Sequence, residues 1–338
     1  MAILDHWHPV LCSRRLGKRP VAVRLGGKDL VLFRAAAGAI GALEDCCPHR
    51  RMRLSAGQVV NQRLQCPYHG WTFDCDGDGE SPSTPKLYAT APGFDALERH
   101  GAIWLKPRTS QPEFPPFEVE GCYHVCTLQH QIHAPLELVV DNFTEIEHTP
   151  TVHGMFGYAL DRMPEVEVQF LPTADSVRVV NVGPAKPIPL WLRFLLGVRS
   201  RYRFHDDWTT HFSPVYGVYD HWWADARTGR EGLVRWRLYI FFVPRDEDST
   251  TVMTFAFTRS RWPGPTGCVA LFKWLMVRML DQEIRLDVGI LENLVDKNPH
   301  VEGMKLSRFD RVLGLHRERI EAIYRGGKKG GGTQAPVE

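Results

Sequence analysis

Cys47-Pro48-His49 is followed, after sixteen residues, by Cys66-Pro67-Tyr68-His69-Gly70-Trp71. Each stretch sets a cysteine two or three residues ahead of a histidine. Two loop tips can therefore each offer one sulfur and one imidazole nitrogen to a shared centre. Two cysteines with two histidines suit a structural zinc ion. The same set suits an iron-sulfur cluster with both thiolates on one iron and both neutral imidazoles on the other, which raises the potential above that of all-thiolate clusters. Pro48 and Pro67 stiffen the two fingers.

Working outward, Val21 to Asp45 runs Val-Ala-Val-Arg-Leu, a Gly-Gly turn, Leu-Val-Leu-Phe-Arg, a small-residue turn, then Ile-Gly-Ala-Leu-Glu. Short β-rich runs between such turns predict an antiparallel meander. A further strand is expected at 101–106, after a Pro/Gly-rich loop at 81–93. The first domain is thus expected to be all-β and to span 1–107. Residues 108–118, with Pro112, Pro115 and Pro116, read as a linker. Beyond it, 135–153 has helical spacing at Leu136, Val139, Val140 and Phe143, and strand-like runs follow at 165–170, 176–182, 209–219, 233–243 and 250–258. A long amphipathic helix is expected over 269–295. This order predicts an α+β domain over 108–325, a curved antiparallel sheet wrapped around a helix, and a disordered tail at 326–338.

The chain has 338 residues, 43% apolar and 24% charged, enough for two cores. Its 41 basic and 39 acidic residues leave a formal charge of +2, so nothing points to nucleic acid or a membrane surface as partner. Eight cysteines, at 12, 46, 47, 66, 75, 122, 126 and 268, do not form the dense framework of a small secreted domain. Asp5, His6 and His8 interrupt the apolar run a secretory signal needs, and no stretch approaches the ~18 apolar residues of a membrane span. A cytoplasmic location without stable membrane insertion is expected.

Cys-Pro-His-Arg and Cys-Pro-Tyr-His-Gly-Trp resemble the paired loops of Rieske domains, and with the domain order the resemblance to Rieske non-haem iron oxygenases extends over 5–325. It implies a [2Fe-2S] cluster held by Cys47, His49, Cys66 and His69, with Cys46 and Cys75 outside the ligand positions. It also implies a helix-grip (START-like) catalytic domain with a mononuclear Fe(II). His148 and His153, five apart, would diverge on one helix, but Pro150 is expected to break the helix after His148 and return His153 to the same centre. Two histidines and a carboxylate make the facial triad that leaves positions open for O2. Asp287, followed by Ile290, Leu291 and Glu292-Asn293, best resembles the family's third ligand, with Asp281 and Glu283 as fallbacks. Glu145 matches a position where related oxygenases have Asp, less often Glu, linking the cluster of one subunit to the iron of its neighbour. Asn142 matches a position often polar in monooxygenase members; hydrogen bonding to local backbone is its alternative.

No Gly-x-Gly-x-x-Gly loop or plant-type ferredoxin cysteine set is present, so electrons are expected from NAD(P)H through a separate reductase or ferredoxin. Length and the position of the His pair look like the homo-oligomeric monooxygenases, such as ketosteroid hydroxylase and the dicamba and vanillate O-demethylase oxygenases. Hydroxylation or oxidative demethylation of a small hydrophobic or aromatic substrate is the implied reaction, ahead of arene cis-dihydroxylation, and a head-to-tail homotrimer is the implied assembly. The apolar insertion 186–197 reads as a lid or as packed helix, and Arg178, Arg193, Arg201 and Arg203 are candidates to pair with a substrate carboxylate. Two other classes compete. A non-catalytic Rieske electron carrier needs the loops but not His148, His153 and Asp287, and a structural zinc protein would be colourless.

Overall fold

The expected meander forms as β2 (Val21–Leu25), β3 (Lys28–Arg34) and β4 (Ile40–Glu44), after β1 (His8–Cys12). The computed structural model describes residues 3–35, 38–199, 201–260 and 270–327. Five short strands follow as one sheet: β5 (Gln58–Val60), β6 (Arg63–Gln65), β7 (Thr72–Phe73), β8 (Asp78–Glu80) and β9 (Tyr88–Thr90). A third sheet joins β1 to β11 (Ala102–Pro107) and β10 (Phe94–Arg99) in the order β1-β11-β10. Val31, Phe33, Leu43, Leu64 and Phe73 make a core that also encloses Cys47 and Cys66. The cysteine pair is therefore rooted in packed strands.

The segment 108–118 is irregular but not free. Phe117 stacks on Tyr239 at 4.4 Å, and Trp104 of β11 stacks on Phe255 at 5.4 Å and meets Phe241 edge-on at 4.9 Å. Aromatic packing thus joins the N-terminal sheets to the convex side of the large sheet.

That sheet has seven antiparallel strands: β12 (Tyr123–Ile132), β13 (Glu167–Pro172), β14 (Ser176–Pro184), β15 (Tyr202–Phe212), β16 (Val215–Asp225), β17 (Val234–Pro244) and β18 (Thr250–Ser260). Their order is β12-β18-β17-β16-β15-β14-β13. The run 209–219, expected as one strand, contains a hairpin. The chain turns at Ser213-Pro214, and β15 and β16 pair across it from Phe212↔Val215 to Tyr202↔Asp225. β12 was not anticipated, because His124, Gln129, His130 and Gln131 dilute its apolar pattern and a register shift between His124 and Cys126 breaks its alternation.

Five α-helices among the described residues complete the domain: α1 (Leu136–Thr144), α2 (Thr149–Val152), α3 (Leu190–Leu196), α4 (Lys273–Glu292) and α5 (Arg311–Arg319). The helix expected over 135–153 stops earlier than Pro150: Thr144 ends α1, Glu145 is extended at φ −115° and ψ 153°, and Pro150 lies in the first turn of α2, where a missing N–H costs nothing. In α4, Met276, Leu280, Glu283, Ile284, Asp287 and Leu291 form one buried stripe against β12 and α1. α5, also unanticipated, buries Val312, Leu313 and His316 beneath a charged outer face. In α3 the buried Leu192 and Leu196 join the core while Leu190, Trp191 and Phe194 face outward, so the insertion is a packed helix with one bare side. Of the tail expected at 326–338, residues 328–338 lie outside the described residues, as do 269 and its neighbours back to 261.

Candidate metal centres and substrate cavity

The two cysteine loops are closed by the same pair of backbone bonds. Cys47 N donates to Met52 O and Arg51 N to Cys47 O, both at 2.8 Å. Cys66 N donates to Trp71 O at 2.7 Å and Gly70 N to Cys66 O at 3.1 Å. Each loop is released by a left-handed residue at the same place, Arg51 at φ 58° and Gly70 at φ 71°. This shared geometry turns both cysteines inward, 1% and 2% exposed, and leaves His49 and His69 at the surface with ring centroids 4.6 Å apart. Trp71 is buried and stacks under His49. Burial, together with the adjacent Cys66 thiol, pushes the Cys47 thiol up to about 11. Two thiolates facing each other in such a core need positive charge between them, so the four residues fit a metal-sulfur group with sulfur inside and imidazole outside.

The second centre gathers three elements. His148 comes from the turn after α1, His153 from the end of α2 and Asp287 from α4. His148 Nε2 and His153 Nε2 lie 3.0 Å apart, and Asp287 Oδ1 is 3.4 Å from each. Ligand atoms about 2.1 Å from one ion and at right angles to each other are about 3 Å apart, so the triangle has the size of one face of a metal's coordination shell. Burial disfavours charge on His148, yet hydrogen bonds to Asp287 and Glu145 outweigh it and raise the imidazole to about 9. A carboxylate wedged against two imidazole nitrogens is a site that holds a cation, a proton when nothing larger is bound.

Each residue of the triad has a partner behind it. Glu145 Oε1 accepts from His148 Nδ1, and its Oε2 accepts from the backbone N of Glu147 and His148. Glu283 Oε2 is 3.1 Å from His153 Nδ1, and the same carboxylate accepts from Gly154 N and Met155 N. Asn142 Nδ2 donates to Asp287 Oδ1 at 3.1 Å rather than to local backbone. Lys186 Nζ donates to the carbonyls of Thr149, Pro150 and His153, tying α2 to the segment between β14 and α3. Of the fallback ligands, Asp281 is turned away to His130 and Arg285, at 2.9 and 2.7 Å. Glu283 stands behind the site instead of in it. Its role was not read from sequence, although its four-residue offset from Asp287 on one helix face was available.

A cavity opens from the triad toward the large sheet. Phe156, Phe204, Trp208, Tyr219, Leu238 and Ile240 face Leu280 and Ile284 of α4 across it, with about 640 Å³ of empty space counting its mouth. The space enclosed by the walls themselves is about 90 Å³. Arg178, Arg201 and Arg203 are paired with Asp207, Asp225 and Glu167, and neither they nor Arg193 line this cavity.

Residues 6–92 match the Rieske [2Fe-2S] domain and residues 132–296 the vanillate O-demethylase oxygenase C-terminal domain. The chain therefore belongs to the Rieske-type oxygenase components, in which an iron-sulfur domain precedes an oxygenase domain. It is similar to the oxygenase component of dicamba O-demethylase from Stenotrophomonas maltophilia, 29% identical over 212 residues, covering 59% of this chain and 61% of that one. It is also similar to the tert-butanol monooxygenase / tert-amyl alcohol desaturase oxygenase subunit of Aquincola tertiaricarbonis, 37% identical over 121 residues, covering 33% of this chain and 26% of that one. The chain thus spans less than two thirds of either relative. Dicamba monooxygenase bound to 3,6-dichlorosalicylic acid has the same fold, with a TM-score of 0.79 at 20% identity over 95% of this chain and 97% of that one.

Proposed function

We propose that this protein is a terminal oxygenase that takes electrons from a separate reductase or ferredoxin, ultimately from NAD(P)H, and uses O2 to hydroxylate or oxidatively demethylate a small hydrophobic or aromatic substrate. The observation that carries this is the convergence of His148, His153 and Asp287 at the inner end of an apolar cavity, in a chain that also carries the Rieske loops. Cys47, His49, Cys66 and His69 would hold the [2Fe-2S] cluster, and the triad the mononuclear Fe(II). The cluster supplies single electrons and the iron, with open positions, supplies O2 activation.

The chain's own residues do the rest. Glu145 and Glu283 fix the two imidazoles so that their Nε2 atoms face the centre, and Asn142 holds the Asp287 carboxylate. Tyr219 Oη donates to Phe143 O at 2.9 Å, pinning the sheet wall to α1, and the aromatic walls keep water from the reacting carbon.

The same reading divides the chain at 107/108 into cluster and catalytic domains and assembles it as a head-to-tail homotrimer. Exposed His49 and His69, beside an exposed Tyr68, support an electron path through the surface into a neighbour, with Glu145 as the receiving carboxylate. A cytoplasmic setting suits cysteines kept as thiols, and among the described residues no helix is long and apolar enough to cross a membrane.

The test is anaerobic purification with iron and sulfide analysis, then turnover with a reductase under labelled O2. About three irons and two sulfides per chain are expected for one [2Fe-2S] cluster plus one iron, and one labelled oxygen per hydroxylated product; two would make it a dihydroxylating enzyme. His153→Ala should abolish product, lose one iron and keep the cluster's visible spectrum. Retained turnover in that variant would sink the assignment.

A further inference from the structure

The apolar cavity has one polar place away from the metal centre. Asp206 on β15 and His221 on β16 are directly opposed in the sheet, and Asp206 Oδ1 lies 2.8 Å from His221 Nε2. Both line the cavity and both are more than nine-tenths buried. His221 Nδ1, Asp206 Oδ1 and Nε1 of Trp208, which also lines the cavity and is 2% exposed, are buried without a hydrogen-bond partner among the described residues. Trp208 is paired with Tyr219, so it stands diagonally beside His221 on the same face of the sheet. Buried polar atoms are nearly always paired, and three that border one cavity without a protein partner mark where a ligand's polar atoms belong.

We infer that the cavity selects neutral substrates carrying a hydroxyl group, seated between His221 Nδ1 and Trp208 Nε1, and rejects the matching carboxylates; this rests on the oxygenase reading above. A proton on Nε2, the ring nitrogen 2.8 Å from Asp206 Oδ1, leaves Nδ1 as an acceptor, whereas an indole N–H only donates. A group that both donates and accepts satisfies the two together, and a hydroxyl is the smallest that does. A carboxylate can only accept. Charge excludes it as well, because the Asp206-His221 pair is negative with a neutral imidazole and neutral with a charged one, never positive. Among the described residues no lysine or arginine lines the cavity, and Glu145, Glu283 and Asp287 add to the negative side. An ion at the triad would balance Asp287 and its neighbours but leaves the dyad's charge as it is.

The test uses the iron-loaded protein at pH 8 and three scaffolds, a single aromatic ring, a fused two-ring system and a four-ring sterol skeleton. Each carries hydroxyl, carboxylate or methyl at the same position. Binding is read from quenching of intrinsic tryptophan fluorescence, and oxygen uptake with reductase is read separately. On at least one scaffold the hydroxyl form should bind about 10-fold or more tighter than both others. Asp206→Asn and His221→Phe, checked for unchanged iron content and cluster spectrum, should each reduce that preference to within about 2-fold. Equal or tighter binding of a carboxylate, failure of every hydroxyl form to bind, or a preference that survives His221→Phe overturns the inference. Selective binding without any substrate-stimulated oxygen uptake would leave the inference standing and count against the oxygenase reading itself.

Discussion

Glu283 stands behind His153 as Glu145 stands behind His148: Glu145 is hydrogen-bonded to its imidazole Nδ1, Glu283 lies 3.1 Å from its own, and each takes backbone N–H groups from the loop that carries the histidine. Outer carboxylates of this kind commonly change metal affinity by about 10- to 100-fold. Glu283→Ala should lower retention of the mononuclear iron against a chelator by that order and leave sulfide content intact. Glu283→Gln should be milder, because an amide oxygen still accepts from Gly154 N. Iron per chain after timed dialysis checks both. Sequence offered Glu283 only as a spare ligand. Its true position follows from helix geometry, since residues 283 and 287 share one face and the nearer turn of α4 meets the loop behind the histidine. Asn142 was seen as a residue near the metal, but its bond to Asp287 depends on how α1 and α4 meet, which no local pattern encodes.

At the level of elements, α1 owes its place to α5 as well as to the sheet. Arg317 grips Asp141 with two bonds, 2.9 and 2.6 Å. Burial raises the Asp141 carboxyl to about 6 against the pull of that guanidinium, so the pair is a closely matched one. Removing Arg317 alone leaves a buried acid without its cation. Arg317→Met should therefore cost about 3 kcal/mol, seen as a lower urea midpoint at constant slope, and adding Asp141→Asn should restore part of it. Strands with clean alternation were legible, and β14 shows why: Val177, Val179 and Asn181 are buried at every second position along the run expected at 176–182. The β15-β16 hairpin was not, because alternation continues on both sides of Ser213-Pro214 and composition gives the turn no polar cluster. α5 escaped for the opposite reason, its charged face masking a narrow apolar stripe.

For the molecule as a whole, two histidines far apart in sequence report on acid stability. His8 and His316 are completely enclosed, and burial lowers each to about 3. Unfolded, each returns to the ordinary histidine value near 6.5. The unfolded chain then binds more protons, so the stability these groups confer is whole above about 6.5 and is lost as pH falls toward 3, by up to about 1.4 kcal/mol per pH unit for each site. Unfolding midpoints measured from pH 8 down to pH 5 should decline, and His316→Gln should flatten the decline. An unchanged slope in that variant would mean that the enclosure of His316 is relieved before unfolding. At this scale the two donor sets were legible because their spacing is local, four residues in two loops and a histidine pair. The carboxylate that completes the triad, Asp287, lies 134 residues beyond His153 and only the fold brings it there.

The cavity has two owners. The triad and the residues behind it come from α1, α2, α4 and the turns beside α2, while the opposite wall is drawn from inward-facing positions of β15, β16 and β17. Substitutions on those three strands can redraw the shape and polarity of the wall without moving a ligand, so a mutant library confined to positions 204, 206, 208, 219, 221, 238 and 240 is a route to new substrates in which reactivity is inherited and only recognition is rewritten.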